Sequence, residues 1–328
     1  METIMSAELD YSNGRVNLAY TGQVPWHGEG QTIDRDRPLD DWLVVGGLSH
    51  TVEKSMVRYN TEGETLAYED RVVLYRSDTK KPLSVVSPGY NVVQPREVVE
   101  FYRELVEATG LYHMDVVGSL QGGKKVWALA KSSRKFQVAS GDEIEDYLLL
   151  TTSYDKSLCT IAKAVATRVV CNNTIEMAIG EKTKAEIKVP HSRKWDAEAV
   201  KKEMLFGEHW TKFGEAARRL AGVPIKAKEA KEYFHNVLYT PAYQQSDQYS
   251  KDAAKRRVDG LVACYNQGPG HNLTSSRGTL WGAANAVTFY ADHAIRARGT
   301  SNRLNSAWFG SGNRLKNRAM TEALAIAS

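Results

Sequence analysis

The sequence predicts an α+β fold: an antiparallel-leaning sheet with helices in the N-terminal half, followed by a mostly helical C-terminal half. Three observations lead there. Short β-branched and aromatic runs, separated by turn residues, crowd the stretch from about residue 70 to residue 171. Beyond Pro190 strand-like runs nearly vanish, and apolar residues recur three, four or seven apart. The chain has 328 residues, 42% hydrophobic and 25% charged, enough for about two domains that each bury a core without disulfides or metal.

Residues 1–45 are rich in turn formers and charge, with Pro25, Trp26, His27, Gly28 and Gly30 clustered, and read as an irregular N-terminal arm. An α+β sheet domain is expected over 46–190. Its first strands fall at 72–75 and 83–86, joined through a turn at 80–82. Pro95 then stands where a first-turn proline is tolerated, and Val98, Val99, Tyr102, Leu105 and Val106 repeat at helical spacing until Gly110. β-like runs at 114–120 and 126–130 flank Gln121, Gly122 and Gly123. Runs at 147–152 and 158–166 follow, separated by Ser153, Tyr154, Asp155 and Lys156, and 168–171 completes the series. Residues 191–328 read as a helical basic region packed on the sheet domain. Trp195, Ala199, Phe206, Trp210, Phe213, Ala217 and Leu220 mark one face of a long helix ending near Gly222 and Pro224. Shorter helices are expected at 227–238, 252–265, 279–298 and 313–327, with 267–276 as the main loop.

Several function classes are excluded or unsupported. No apolar run approaches the roughly 20 residues that span a bilayer, and the acidic, polar residues 1–11 do not read as a signal peptide, so a cytoplasmic protein is expected. Cys159, Cys171 and Cys264 are widely spaced and form no Cys-x-x-Cys pair, which indicates neither a disulfide framework nor a zinc site. Gly118, Gly123 and Lys124 match the spacing of a phosphate-cradling loop. Lys125 follows where Ser or Thr is needed, however, and 126–129 reads as a strand rather than a helix, so a hairpin turn is the better reading. The histidines form no His-Glu-x-x-His pair, no Gly-x-Ser-x-Gly elbow exists, and Asp292 beside His293 cannot face it on a helix. No catalytic residue, metal site or cofactor is assigned.

Charge carries more. The net charge of +4 hides an asymmetry: residues 1–190 hold 22 Lys and Arg against 27 Asp and Glu (−5), and residues 191–328 hold 21 against 12 (+9). Lys255, Arg256, Arg257, Arg277, Arg296, Arg298, Arg303, Arg314, Lys316 and Arg318 have few acids between them. Tyr265, Trp281, Tyr290, Trp308 and Phe309 lie among them and could stack unpaired bases. In the acidic half, Lys156, Lys163 and Arg168 lie on or between expected strands. Asn172, Asn173 and Thr174 after a buried strand suit the cap of a following helix, whose amides would attract a phosphate. Solvated helix faces, core aromatics and a simple cap are the structural alternatives for each of these residues.

Several spaced motifs resemble one family. The run Asp146-Tyr147-Leu148-Leu149-Leu150-Thr151-Thr152-Ser153-Tyr154-Asp155 and the run Arg168-Val169-Val170-Cys171-Asn172-Asn173-Thr174 resemble the central motifs of a phage/plasmid-like family, domain of unknown function 932. Pro25-Trp26-His27-Gly28, Gly118-Ser119-Leu120 with Gly122-Gly123, and Ser306-Ala307-Trp308-Phe309-Gly310-Ser311-Gly312 are similar to its other motifs. The likeness spans roughly residues 22–325. The family usually shows His-Asp-Gly where this chain has Tyr154, Asp155 and Lys156, which weakens any catalytic reading centred there. The resemblance implies a mobile-element origin and a bacterial cytoplasm, and no activity.

The expectation is therefore a single-stranded DNA-binding, strand-annealing-type protein of a phage or plasmid, acting in recombination or replication as a homo-oligomer. Lys156, Lys163, Arg168, Asn172, Asn173, Lys255, Arg256, Arg257, Arg277, Arg314 and Lys316 are its candidate contacts, in a groove between the two halves. Two alternatives stand beside it: a metal-assisted nucleic-acid enzyme using Asp155 with His27 or Glu29, and a host-interaction protein acting against restriction or defence.

Overall fold

A computed structural model describes residues 11–12, 15–22, 30–168, 173–176, 186–204, 208–247, 249–296 and 300–328. Strands β1 (Tyr11–Ser12) and β2 (Arg15–Val16) pair with each other; β3 (Leu18–Tyr20), β4 (Gln31–Thr32) and helix α1 (Leu39–Val45) follow. Strands β5 (Val52–Thr61), β6 (Glu64–Arg76) and β7 (Pro82–Val86) form a three-stranded antiparallel sheet. After helix α2 (Pro95–Thr109) come β8 (Tyr112–Leu120), β9 (Lys125–Ala139), β10 (Asp142–Ser153) and β11 (Thr160–Arg168), an antiparallel meander. Strands β12 (Asn173–Glu176) and β13 (Glu186–Val189) share the outer edge of β11, and β3 and β4 extend the other side beyond β8. The remaining helices are α3 (Ala197–Met204), α4 (Glu208–Ala221), α5 (Ala227–Leu238), α6 (Pro241–Gln244), α7 (Lys251–Gln267), α8 (Leu280–Phe289), α9 (Thr300–Phe309) and α10 (Ser311–Ile326). A π-helical turn (Tyr290–Ala294) extends α8.

Local chemistry explains the best-defined elements. Helix α2 opens at Pro95, whose fixed φ suits a first turn, and Glu97 reaches back to accept the backbone N–H of Gln94 at 2.6 Å. Gly110 ends it in the left-handed conformation, φ 62°. Its buried face, Val98, Val99, Phe101, Tyr102 and Leu105, packs on the main sheet. Strand alternation then sorts the sheet's two faces. Val126, Ala128, Leu148, Leu150 and Ala162 meet α1, α2 and the small sheet. Trp127, Leu149 and Val165 meet Leu304, Ala307 and Trp308 of α9. A third cluster joins α4, α5, α7, α8 and α10 to Val138, Ile144 and Ala166 of the sheet, so the C-terminal helices share their core with it. Asp142, fully buried, fastens this junction by accepting hydrogen bonds from Ser275 Oγ at 2.5 Å and Trp281 Nε1 at 2.9 Å.

The predicted layout needs correction. The main sheet is mixed, because β3 and β4 run parallel within it. Strands and helices are also interleaved rather than divided between two halves. The segment expected as an irregular arm supplies β3, β4 and α1, and β13 is followed directly by helices. Strands of two and three residues are too short to show a period of two, and they are held by long-range pairing that local pattern does not reveal. The expected helix after Asn172 is strand β12, and the single helix expected over 195–220 is α3 and α4.

Candidate nucleic-acid interface

Where strand β11 meets the corner between α9 and α10, the molecule carries a cleft of about 400 Å³. Its floor is the outer part of the sheet, with Ile161 and Lys163 from β11 and Glu186 and Lys188 from β13. Its wall is the end of α9 and the first turns of α10, with Trp308, Phe309, Asn313, Arg314 and Asn317. Ser157, Leu158 and Cys159 close one end.

Three cations meet here. Lys163 is buried, and its Nζ donates to Trp308 O at 3.0 Å while lying 5.6 Å from the centre of the Phe309 ring. Lys188 is exposed and pairs with Glu186 at 2.6 Å on its own strand. Arg314 is exposed on the first turn of α10. Phe309 is half-buried, whereas Trp308 is buried edge-on against Trp127, ring centres 4.5 Å apart, and serves the core. The turn before Ser157 adds Lys156, exposed and in the left-handed region at φ 66°. Asp155 accepts from Ser157 N at 3.0 Å and from Ser157 Oγ at 2.5 Å, so its carboxylate shapes this turn. Tyr154 is fully buried, with its hydroxyl donating to Val93 O at 2.9 Å. Lys156 thus occupies a backbone position that glycine adopts more readily, and Tyr154 packs in the core.

The other expected contacts are spread out. Lys316 is 1% exposed and forms an internal ion pair with Asp292 at 2.8 Å, behind the cleft wall rather than in it. Lys255, Arg256 and Arg257 are exposed on α7, with Lys255 paired to Asp259 at 3.1 Å; Arg277 is exposed in the loop that Asp142 anchors. Among the described residues, none of these four lines the cleft. Arg168 lies in β11 and Asn173 begins β12. Pro25, Trp26, His27, Gly28, Glu29, Cys171, Asn172, Phe206 and Arg298 fall outside the described residues. Trp281, expected as a stacking ring, is buried on Asp142.

A second polar group escaped sequence reasoning. His113, Lys131 and Tyr147 stand opposite one another across β8, β9 and β10. Lys131 binds Glu145 at 2.7 Å, and Tyr147 donates to the same Glu145 oxygen at 3.1 Å. Burial pushes Glu145 up, but Lys131, Tyr147 and Lys135 outweigh it and hold the carboxyl below its usual value. Burial raises Asp115 to about 6, with Glu145 adding to the rise and Lys131 and Arg35 opposing it. Burial, Arg35 and Lys131 lower His113 to about 4. Cross-strand spacing could have hinted at the row only once the register of β8 to β10 was known.

A mixed α+β sheet with a cationic cleft at its helix-covered edge defines the structural class. The model of the family described as Domain of unknown function (DUF932) matches residues 82–308, and the chain belongs to that family. The match spans α2, the β8–β11 meander and the helices down to Trp308 of the cleft wall. No curated protein and no solved structure matches the chain.

Proposed function

We propose that the chain binds single-stranded DNA in the cleft between β11, β13 and the α9–α10 corner. The observation that carries this reading is the convergence there of the exposed Lys188 and Arg314 with the half-buried Phe309 ring, and Lys156 on the adjoining turn, above a floor in which the buried Lys163 holds the Trp308 carbonyl. Cations that neutralise backbone phosphates, beside a ring on which an unpaired base can stack, are what a sequence-tolerant single-strand site requires. Asn313 and Asn317 add neutral polar groups for sugar or base edges. Such a protein would leave base edges accessible for pairing. That suits strand annealing during the recombination or replication of a phage or plasmid in a bacterial cytoplasm, with no cofactor.

The test is fluorescence anisotropy with a labelled oligonucleotide across 50–200 mM salt. Affinity is expected to fall steeply with salt. Arg314→Ala and Lys188→Ala should each weaken binding several-fold and reduce the log–log salt slope by about 0.7, the single-strand value per phosphate contact. Phe309→Ala should cost about 1–3 kcal/mol if one base stacks there. A flat salt response, or full affinity in the Arg314→Ala and Lys188→Ala double variant, overturns the proposal.

A further inference from the structure

The distal part of the β5–β6 hairpin stands out as a ribbon of two strands. β7 pairs with β6 over residues 72–75, so beyond the irregularity at Met56 no third strand pairs with the hairpin among the described residues. It turns at Glu62 and Gly63, where Gly63 takes φ 93°. Val57 lies opposite Tyr68 and Tyr59 opposite Leu66, which places these four on one face; Arg58 with Ala67 and Asn60 with Thr65 form the other. The apolar face is open: Tyr59 is 49%, Tyr68 46% and Leu66 37% exposed. A two-stranded hairpin is marginal in water by itself, and an exposed run of apolar and aromatic side chains on it marks a contact surface.

Charge identifies the occupant. From 57 to 71 the ribbon carries Arg58 and Arg71 against Glu62, Glu64, Glu69 and Asp70, two cations and four carboxylates, a net −2. That sign disfavours nucleic acid and disfavours a second ribbon packed face to face. Residues 191–328 of the same chain carry a net +9, and the N-terminal half of α7 offers Lys251, Lys255, Arg256 and Arg257 against Asp252 and Asp259, a net +2 on exposed side chains outside the cleft. We propose that the ribbon of one chain docks its Tyr59–Tyr68 face on the α7 surface of a second copy, with the carboxylates around the turn facing Arg256 and Arg257. Two different surfaces then meet, so the contact is head-to-tail and repeats into a ring or filament. The inference is independent of DNA binding and gives the α7 cations a role other than the cleft's.

The test uses the full chain without DNA. Sedimentation velocity in 50 mM NaCl should show concentration-dependent species larger than a monomer, shifting toward monomer in 500 mM NaCl as the charges are screened. Tyr59→Ser with Tyr68→Ser, and separately Glu62→Lys with Glu64→Lys and Glu69→Lys, should each weaken association at least tenfold while far-UV circular dichroism is unchanged. Adding Arg256→Glu and Arg257→Glu to the charge-reversed ribbon should restore it. A photoreactive phenylalanine in place of Tyr59 should cross-link to peptides of α7, and mixed isotopic labelling should show the links to be between chains. A monomer at all concentrations, association indifferent to both ribbon variants, or cross-links to another ribbon or to any surface other than α7 overturns the proposal.

Discussion

The cleft and the His113–Lys131–Tyr147 row occupy the same face of the main sheet. Tyr147 pairs with Val165, and two residues along each strand Leu149 pairs with Lys163. Their electrostatics are opposite in kind. In the row, Lys131 lies against Glu145 at 2.7 Å, with Asp115, His113 and Arg35 within electrostatic reach, so positive and negative groups answer one another inside the protein. In the cleft, Lys163, Lys188 and Arg314 face Glu186 as the carboxylate of the lining. Polar groups matched internally serve the fold, whereas cations in excess of their local acids leave a field for an outside anion.

The largest expected effect tests whether Lys316 belongs to the fold or to the cleft. It lies behind the wall, paired with Asp292, and both are buried. Asp292→Ala leaves a buried ammonium without its carboxylate and is expected to cost about 3–5 kcal/mol in chemical denaturation, while Asp292→Leu with Lys316→Met recovers most of that. Oligonucleotide affinity of the folded fraction should not rise. A stable Asp292→Ala variant that binds DNA more tightly would move Lys316 into the cleft and dissolve the distinction.

The second effect sharpens the row through pH. Asp115 in the folded chain titrates at about 6 against an ordinary 3.8, so between those values the folded state keeps a proton that the unfolded chain releases. Its contribution to stability is complete below about 4 and is lost as pH rises through 6. His113 works the other way: lowered from 6.5 to about 4, it lets the folded state bind fewer protons, so its contribution grows as pH rises from about 4 to 6.5. Asp115→Asn removes only the first of these slopes. Urea midpoints at pH 4 and pH 7 should show the variant gaining about 1–3 kcal/mol on the wild type between the two, with oligonucleotide affinity unchanged. An equal difference at both pH values would mean that Asp115 is not perturbed by burial in the row.

Much of the secondary structure was legible, and the reasons are local. Pro95, Gly110 and the apolar repeat between them delimit α2, and the expected helix at 227–238 is α5. The glycine turn at 121–124 joins β8 to β9 as a hairpin. Strand β5 was missed because its distal residues are exposed on both faces, so burial imposes no alternation on Val52–Thr61. For the site, the sequence displayed an excess of cations but not which of them are consumed inside. Lys163 meets a carbonyl 145 residues away and Lys316 a carboxylate 24 residues away. Lys188, which lines the cleft, sits in an ordinary-looking charged stretch and carried no signal. Burial of a lysine is decided by tertiary pairing, and local composition cannot report it.

The smallest effect separates the geometry of the Asp155 turn from its charge. Lys156 holds φ 66°, where a side chain bearing a Cβ costs roughly 1–2 kcal/mol relative to its right-handed form, and glycine adopts the region freely at some entropic cost in the unfolded chain. Lys156→Gly should therefore raise stability by up to about 1 kcal/mol, while Lys156→Ala, which keeps the Cβ and loses the ammonium, should leave stability within about 0.5 kcal/mol. Both remove the same charge beside the cleft, so both should weaken oligonucleotide binding by the same modest factor and lower the salt slope alike. If only Lys156→Ala weakened binding, the shape of the turn and not its ammonium would be what the strand meets. If neither did, the cleft would end at Ser157, and its exposed cations would be Lys188 and Arg314.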